Sequence, residues 1–108
     1  MKMIWAIIRP EKLKEVSDQL RESGYPSLTE VSVRGRGKQK GIVIGDMKYE
    51  KLPKELLVTV CKDEDTEKIM SIFMMTAKTG SIGDGKIFLL NVEEAVTIRT
   101  GVRGQDSL

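Results

Sequence analysis

The chain has 108 residues, room for one domain with a single core that buries roughly 65% of the unfolded surface, but not for a large enclosed active-site cavity. With no His and a lone Cys61, a zinc finger, a His-based catalytic triad and a disulfide framework are excluded, which leaves an enzyme only carboxylates, lysines or a hydroxyl. The formal charge is +2, yet Arg34, Arg36, Lys38 and Lys40 stand without an acid among residues 31–45, an anion-attracting segment on a nearly neutral background.

Residues 3–8 (MIWAII) are apolar at both parities, the pattern of a strand covered on both faces or paired centrally. No apolar run approaches the roughly 20 residues of a membrane span, and the start does not read as a signal peptide, so a soluble cytoplasmic protein is expected. Pro10 opens a helix carried by Leu13, Val16 and Leu20 and stopped at Gly24. Residues 28–34 alternate Thr29, Val31 and Val33 against Glu30, Ser32 and Arg34, a half-buried strand. From 35 to 54 periodicity stops apart from the short IVI run. A connection of about twenty residues, where about 4 to 6 is the norm, reads as functional.

Strand character returns at residues 56–61 (LLVTVC). Residues 63–78 form a second helix, with acids in its first turn and Ile69, Ile72, Phe73 and Thr76 on one face. The turn-rich TGSIGDG leads to a fourth strand at 86–92. Residues 95–99 are expected to add a short edge strand, and those after Gly101 read as a mobile or ligand-dependent tail.

The order βαβ, long loop, βαβ is the split βαβ plan of a ferredoxin-like α+β fold, with both helices on one face of an antiparallel sheet. The two-sided apolarity of residues 3–8 and 56–61 favours coverage of the other face by another copy of the chain, hence a homo-oligomer.

Two segments carry chemistry. In RGRGKQKG (34–41), glycines interleave with cations and a carboxamide, so backbone N–H groups and basic side chains face an anion together; a solvated basic loop fits this composition equally well. Nucleic-acid reading needs exposed aromatics on the sheet, and the chain is 5% aromatic, with Trp5 and Phe88 in apolar company that reads as core. TGSIGDGK (79–86) offers three glycines and a lysine suited to phosphate, but it is not a P-loop, and on spacing alone a glycine-rich turn holding Asp84 is the plainer reading.

TGSIGDGKIFLLNV closely resembles the C-terminal signature of the PII (GlnB-like) nitrogen-regulatory proteins. Other segments resemble that family in order: the MKMI start with AIIRP at 6–10, residues 35–41 as the base of a T-loop, LPK at 52–54 as its return and IRTG at 98–101 as a C-terminal loop. The resemblance covers the whole chain as one domain, 1–108, with a T-loop at about 36–54, a phosphate (B) loop at about 78–86 and a C-terminal loop at 97–108.

The resemblance implies a ferredoxin-like homotrimer, a sensor and not an enzyme, with ATP or ADP in clefts between subunits and 2-oxoglutarate beside Mg-ATP. Gly83, Asp84, Gly85 and Lys86 would cradle the phosphates with Gly35, Gly37, Lys38 and Gln39, joined by Arg99 from an adjacent subunit. Ile7, Thr29 and Val60 would line the adenine and ribose. Gln39 would ligate Mg²⁺, an oxygen-seeking cation, together with the nucleotide phosphates and 2-oxoglutarate. Lys54 would pair with the distal carboxylate of 2-oxoglutarate, helped by Arg9, Gly37, Gln39, Lys40, Gly41 and Gly83.

The segment between Gly41 and Lys54 is shorter than the T-loop of typical members, Tyr49 reads as a solvent-facing loop tyrosine, and Thr97 stands where the family has a first C-loop arginine. A short, altered T-loop resembles the nitrogen-fixation-linked (NifI type) archaeal branch. That resemblance implies nitrogenase, through its dinitrogenase component, as target, a trimer mixed in some cases with a sister subunit, and no nucleic acid or membrane insertion. An ammonium transporter or nitrogen-assimilation enzyme is the alternative target.

Overall fold

Strand β1 (Lys2–Ile8) divides its apolar run between two environments: Ile4, Ala6 and Ile8 are buried, whereas Trp5 between them is 39% exposed. The computed structural model that shows this describes residues 1–38, 42–44, 47–49 and 51–108. Pro10 begins a 3-10 turn (Pro10–Lys12), where its missing N–H is no loss, and helix α1 (Leu13–Glu22) follows with Val16 and Leu20 buried one turn apart. Ser23 N–H donates to Gln19 O and Gly24 N–H to Arg21 O, which closes the helix where the sequence placed its stop.

Strand β2 (Thr29–Gly35) precedes two three-residue strands, β3 (Ile42–Ile44) and β4 (Met47–Tyr49), paired antiparallel as a small separate sheet. The segment expected to lack periodic structure therefore holds a hairpin. Strand β5 (Leu52–Cys61) starts four residues earlier than its apolar run, because Gly35 pairs opposite Leu52 and Val33 opposite Lys54, so β2 holds the polar start of β5 in the sheet. A 3-10 turn (Asp63–Asp65), helix α2 (Thr66–Ala77) and strand β6 (Gly85–Asn91) complete the unit.

The main sheet runs β2-β5-β1-β6, antiparallel throughout, the split βαβ order expected from the sequence. Its core is one cluster: Ile4, Ala6 and Ile8 from β1, Leu57 and Cys61 from β5, Val16 and Leu20 from α1, and Ile69, Phe73 and Ala77 from α2.

On the face turned away from that core, cross-strand register sets Trp5 between Val58 and Phe88, Met3 between Val60 and Leu90, and Ile7 between Leu56 and Lys86. Trp5 and Phe88, expected in the core, belong to this open face, and Phe88 is 47% exposed. Apolar company alone does not distinguish a core from a face that another chain can cover.

The C-terminal segment also differs from expectation. In place of an edge strand at 95–99 there is a single bridge, Val96 opposite Arg103. The supposed tail closes on itself: Thr97 N–H donates to Val102 O at 2.9 Å, Gly104 N–H to Ala95 O at 2.9 Å and the Thr97 hydroxyl to Ser107 O at 3.2 Å, before a final 3-10 turn (Gly104–Ser107).

Candidate functional site

Helix α2 ends when Lys78 turns extended, and residues 78–84 cross to the start of β6. Asp84 shapes this loop. Its Oδ2 accepts the N–H groups of Thr79 (2.8 Å) and Gly80 (2.9 Å), and its Oδ1 accepts the Thr79 hydroxyl and Arg9 Nε (3.1 Å). These bonds, those from Thr79 foremost, hold the Asp84 carboxyl far below the usual carboxylate range against the opposing effect of burial. The Asp84 side chain is thus an internal brace of the loop. Thr79, which the sequence reading passed over, is the partner that makes this brace, and its five-residue spacing from Asp84 was the available signal.

Two cations fasten the loop to the sheet. Arg9, just past the end of β1, donates from Nη2 to Ile82 O at 2.8 Å, and Lys54 on β5 donates from Nζ to Gly83 O at 2.5 Å. Lys54 is pushed below the usual lysine value, first by burial and then by the neighbouring Arg9 charge. Gly83 fits between them because a Cβ there would stand 3.3 Å from Arg9 Nη2 and 3.6 Å from Lys54 Nζ, at a φ of +100°. Gly85 is held more tightly still: at φ +111° its Cβ would lie 1.7 Å from Ile7 O, so only glycine lets β6 start against β1. Lys86 follows, opposite Ile7.

Arg9, Lys54 and Lys86 against Asp84 leave this corner with excess positive charge, suited to anions. Beside it lies an open cleft of about 490 Å³ whose apolar wall includes Ile7, Ile8, Phe73, Met74, Ala77 and Ile87, with Lys78, Asp84 and Lys86 as its charged members.

One chain gathers Ile7, Arg9, Lys54, Gly83, Asp84, Gly85 and Lys86, and among the other described candidates Thr29, Val60 and Arg99 lie apart from them. Val60 pairs with Met3 at the far end of the sheet, six residues along β5 from Lys54, or about 20 Å at strand rise. Thr29 pairs with Val58, also towards that end, and Arg99 sits exposed in the C-terminal loop beyond the end of β6. Gly35, at the end of β2, has no atom within 4 Å of where a Cβ would stand, and Gly37 and Lys38 are exposed beyond it. Gln39, Lys40 and Gly41 lie outside the described residues, and so does the side chain of Tyr49. The Mg²⁺ ligand implied by the resemblance is therefore not among the described residues, in which no cluster of three His, Cys, Asp or Glu could hold a metal. Thr97, in the place of a family arginine, is occupied as the internal tie to Ser107. Among the described residues no helix is long and apolar enough to cross a membrane.

A family model described as nitrogen regulatory protein P-II matches residues 1–102. The chain is 49% identical over 104 residues to a nitrogen fixation nifHD2 region GlnB-like protein 1 of Methanosarcina barkeri, covering 96% of this chain and 99% of that one. It is 52% identical over 100 residues to a nitrogen fixation nifHD region glnB-like protein 1 of Methanococcus maripaludis, covering 93% and 95%. To a nitrogen regulatory protein P-II 2 of Methanothermobacter thermautotrophicus it is 45% identical over 112 residues, covering 100% and 97%.

Proposed function

Because this chain belongs to the nitrogen regulatory protein P-II family, we propose that it is a cytoplasmic homotrimeric sensor of ATP or ADP and 2-oxoglutarate that controls nitrogenase by direct contact through its T-loop. It is a regulatory protein and not an enzyme. The observation that carries the sensing part is the convergence of Arg9, just past the end of β1, and Lys54, on β5, on the consecutive carbonyls of Ile82 and Gly83. The Lys54 ammonium rests on a neutral carbonyl that an anion can replace with a stronger, charge-assisted bond, while Arg9 is also paired with the Asp84 carboxylate.

The nucleotide phosphates are assigned to the N–H groups of Gly83, Asp84 and Gly85 and to the side chains of Lys86 and Lys38. The effector's distal carboxylate is assigned to Lys54 and Arg9. Gln39, with Mg²⁺, and Lys40 and Gly41 complete the site as the family resemblance implies. Thr29, Val60 and Arg99 then come from an adjacent copy, which the apolar face bearing Trp5, Phe88 and Leu90 can recruit. The nitrogenase target is supported by relatives whose names place them in nitrogen-fixation regions. A relative named only as a P-II regulator keeps open an ammonium transporter or assimilation enzyme as target.

Titration calorimetry of ATP with and without 2-oxoglutarate, followed by a pull-down of nitrogenase components in each state, tests the reading. ATP binding, 2-oxoglutarate binding that depends on it, and release of dinitrogenase when both are present are expected. Absence of nucleotide binding, or capture of dinitrogenase that ignores the effectors, refutes it.

A further inference from the structure

In a trans peptide the C=O and the following N–H point in opposite directions. Arg9 draws the Ile82 carbonyl towards the sheet and Lys54 draws the Gly83 carbonyl the same way, so the N–H groups of Gly83 and Asp84 are aimed away from these two cations. Consecutive N–H groups held in this manner form a concave anion site. The bonds within the loop do not do this. Those from Thr79 and Gly80 to Asp84 are internal and set the turn without orienting it against the sheet. The two carbonyl holds also differ in how readily they yield. Arg9 is additionally paired with the Asp84 carboxylate, whereas the Lys54 ammonium sits on a neutral carbonyl, which a carboxylate outcompetes. Gly83, with no side chain and at φ +100°, lets its peptide turn once that carbonyl is released.

We infer that Lys54 has two duties that exclude each other: with no carboxylate bound it is the positioning residue that aims the Asp84 N–H for phosphate, and when a carboxylate takes its ammonium it lets that peptide go. This rests on the proposed function and supplies an order of events within it. Without nucleotide, a carboxylate that removes Lys54 leaves the loop loose, and its binding is weakened by that loss of order. With nucleotide bound, the phosphates hold the same N–H groups from the other side, and Lys54 is released to the carboxylate without that loss. Dependence of the carboxylate on nucleotide thus arises in part from this one side chain, and by reciprocity the coupling runs both ways.

The test compares ATP affinity, in the absence of 2-oxoglutarate, for the full-length protein and two variants. Lys54→Met keeps the length of the side chain and removes both donor and charge; Lys54→Gln removes the charge and keeps an N–H donor for Gly83 O. Lys54→Met is expected to weaken ATP by about five- to tenfold, the loss of one charge-assisted hydrogen bond, and Lys54→Gln to restore most of it, with 2-oxoglutarate response absent in both. The ¹⁵N–¹H signals of Gly83 and Asp84 shift or broaden in Lys54→Met while those of β1 and β5 stay in place. Native ATP affinity and native loop signals in Lys54→Met overturn the inference. Equal weakening in both variants also overturns it, since the charge alone then explains the effect. Failure of the native protein to bind ATP at all is a different result, and refutes the proposed function instead.

Discussion

Gly85→Ala separates steric from conformational demands at the point where the phosphate loop joins the sheet. An added Cβ would lie 1.7 Å from Ile7 O and 2.8 Å from Ile7 C, where real Cβ contacts under 3.0 Å are essentially never seen. Both obstacles are backbone atoms of the central strand, so the ends of β1 and β6 have to part by more than an ångström. Placing alanine at φ +111° costs about 1–2 kcal/mol. Loss of the first rungs of the β1–β6 ladder, around Ile8 opposite Gly85, adds about 1 kcal/mol for each hydrogen bond broken. The total is about 3–4 kcal/mol, a large part of the roughly 5–15 kcal/mol that holds a domain folded. Gly80→Ala is the control, since Gly80 has φ +91° but nothing within 4 Å of its Cβ position, so only the backbone cost of about 1–2 kcal/mol applies. Urea unfolding of both variants at one fixed protein concentration measures the difference, the concentration being fixed because an oligomer's stability depends on it. If Gly85→Ala is no more destabilising than Gly80→Ala, the close approach of β6 to Ile7 is not a real constraint and the reasoning fails.

Trp5→Glu, placing a carboxylate on the open face between Val58 and Phe88, is expected to give a folded monomer, read by light scattering with far-UV dichroism unchanged; an unchanged particle mass refutes this face as the interface. Because the bonds from Thr79 hold Asp84 ionised, its contribution to loop order is complete above the unfolded carboxylate value of about 3.9 and is lost only as pH falls through its own, lower value. Carboxyl NMR showing Asp84 titrating at the ordinary value would contradict the brace. Lys54 has the opposite character: burial and Arg9 disfavour its charge, so folding stability rises with pH between its lowered value and the ordinary one of about 10.4. Since a carboxylate needs the charged form, 2-oxoglutarate affinity falls across that same window and binding there takes up protons, measurable by calorimetry in two buffers of different ionisation enthalpy. Absence of proton uptake would remove Lys54 from the carboxylate site.

Much of this was legible in the sequence, for physical reasons that can be named. Helix spacing in Leu13, Val16 and Leu20 and in Ile69 and Phe73 reflects burial against one sheet face, and the structure buries Val16, Leu20, Ile69 and Phe73 there. The hairpin of β3 and β4 was hidden because three-residue strands are too short to show alternation. Closure of the C-terminal loop was hidden because it rests on backbone bonds such as Gly104 N–H to Ala95 O, which leave no trace in side-chain pattern. The GDGK loop was visible as glycines and a lysine, but not its fastening: Arg9 and Lys54 are 45 residues apart and meet only through the pairing of β1 with β5. Asp84 was legible as a turn residue, but its additional tie to Arg9, 75 residues away, was not.

The placement of the two half-sites also constrains the assembly. Lys54 and the GDGK loop lie at one end of the sheet, and Val60, with the C-terminal loop bearing Arg99, lies towards the other. If a complete site needs both halves, one end of each copy has to meet the other end of a neighbour, which a two-fold pair with its sheets antiparallel and a closed ring can both supply. Either assembly does so once per copy, and the pairing of Gly35 with Leu52 holds the two ends of the β2–β5 connection near that chain's own Lys54. Under the proposed function the number of effector sites then equals the number of T-loops, and each T-loop starts near a site to which its own chain contributes Lys54.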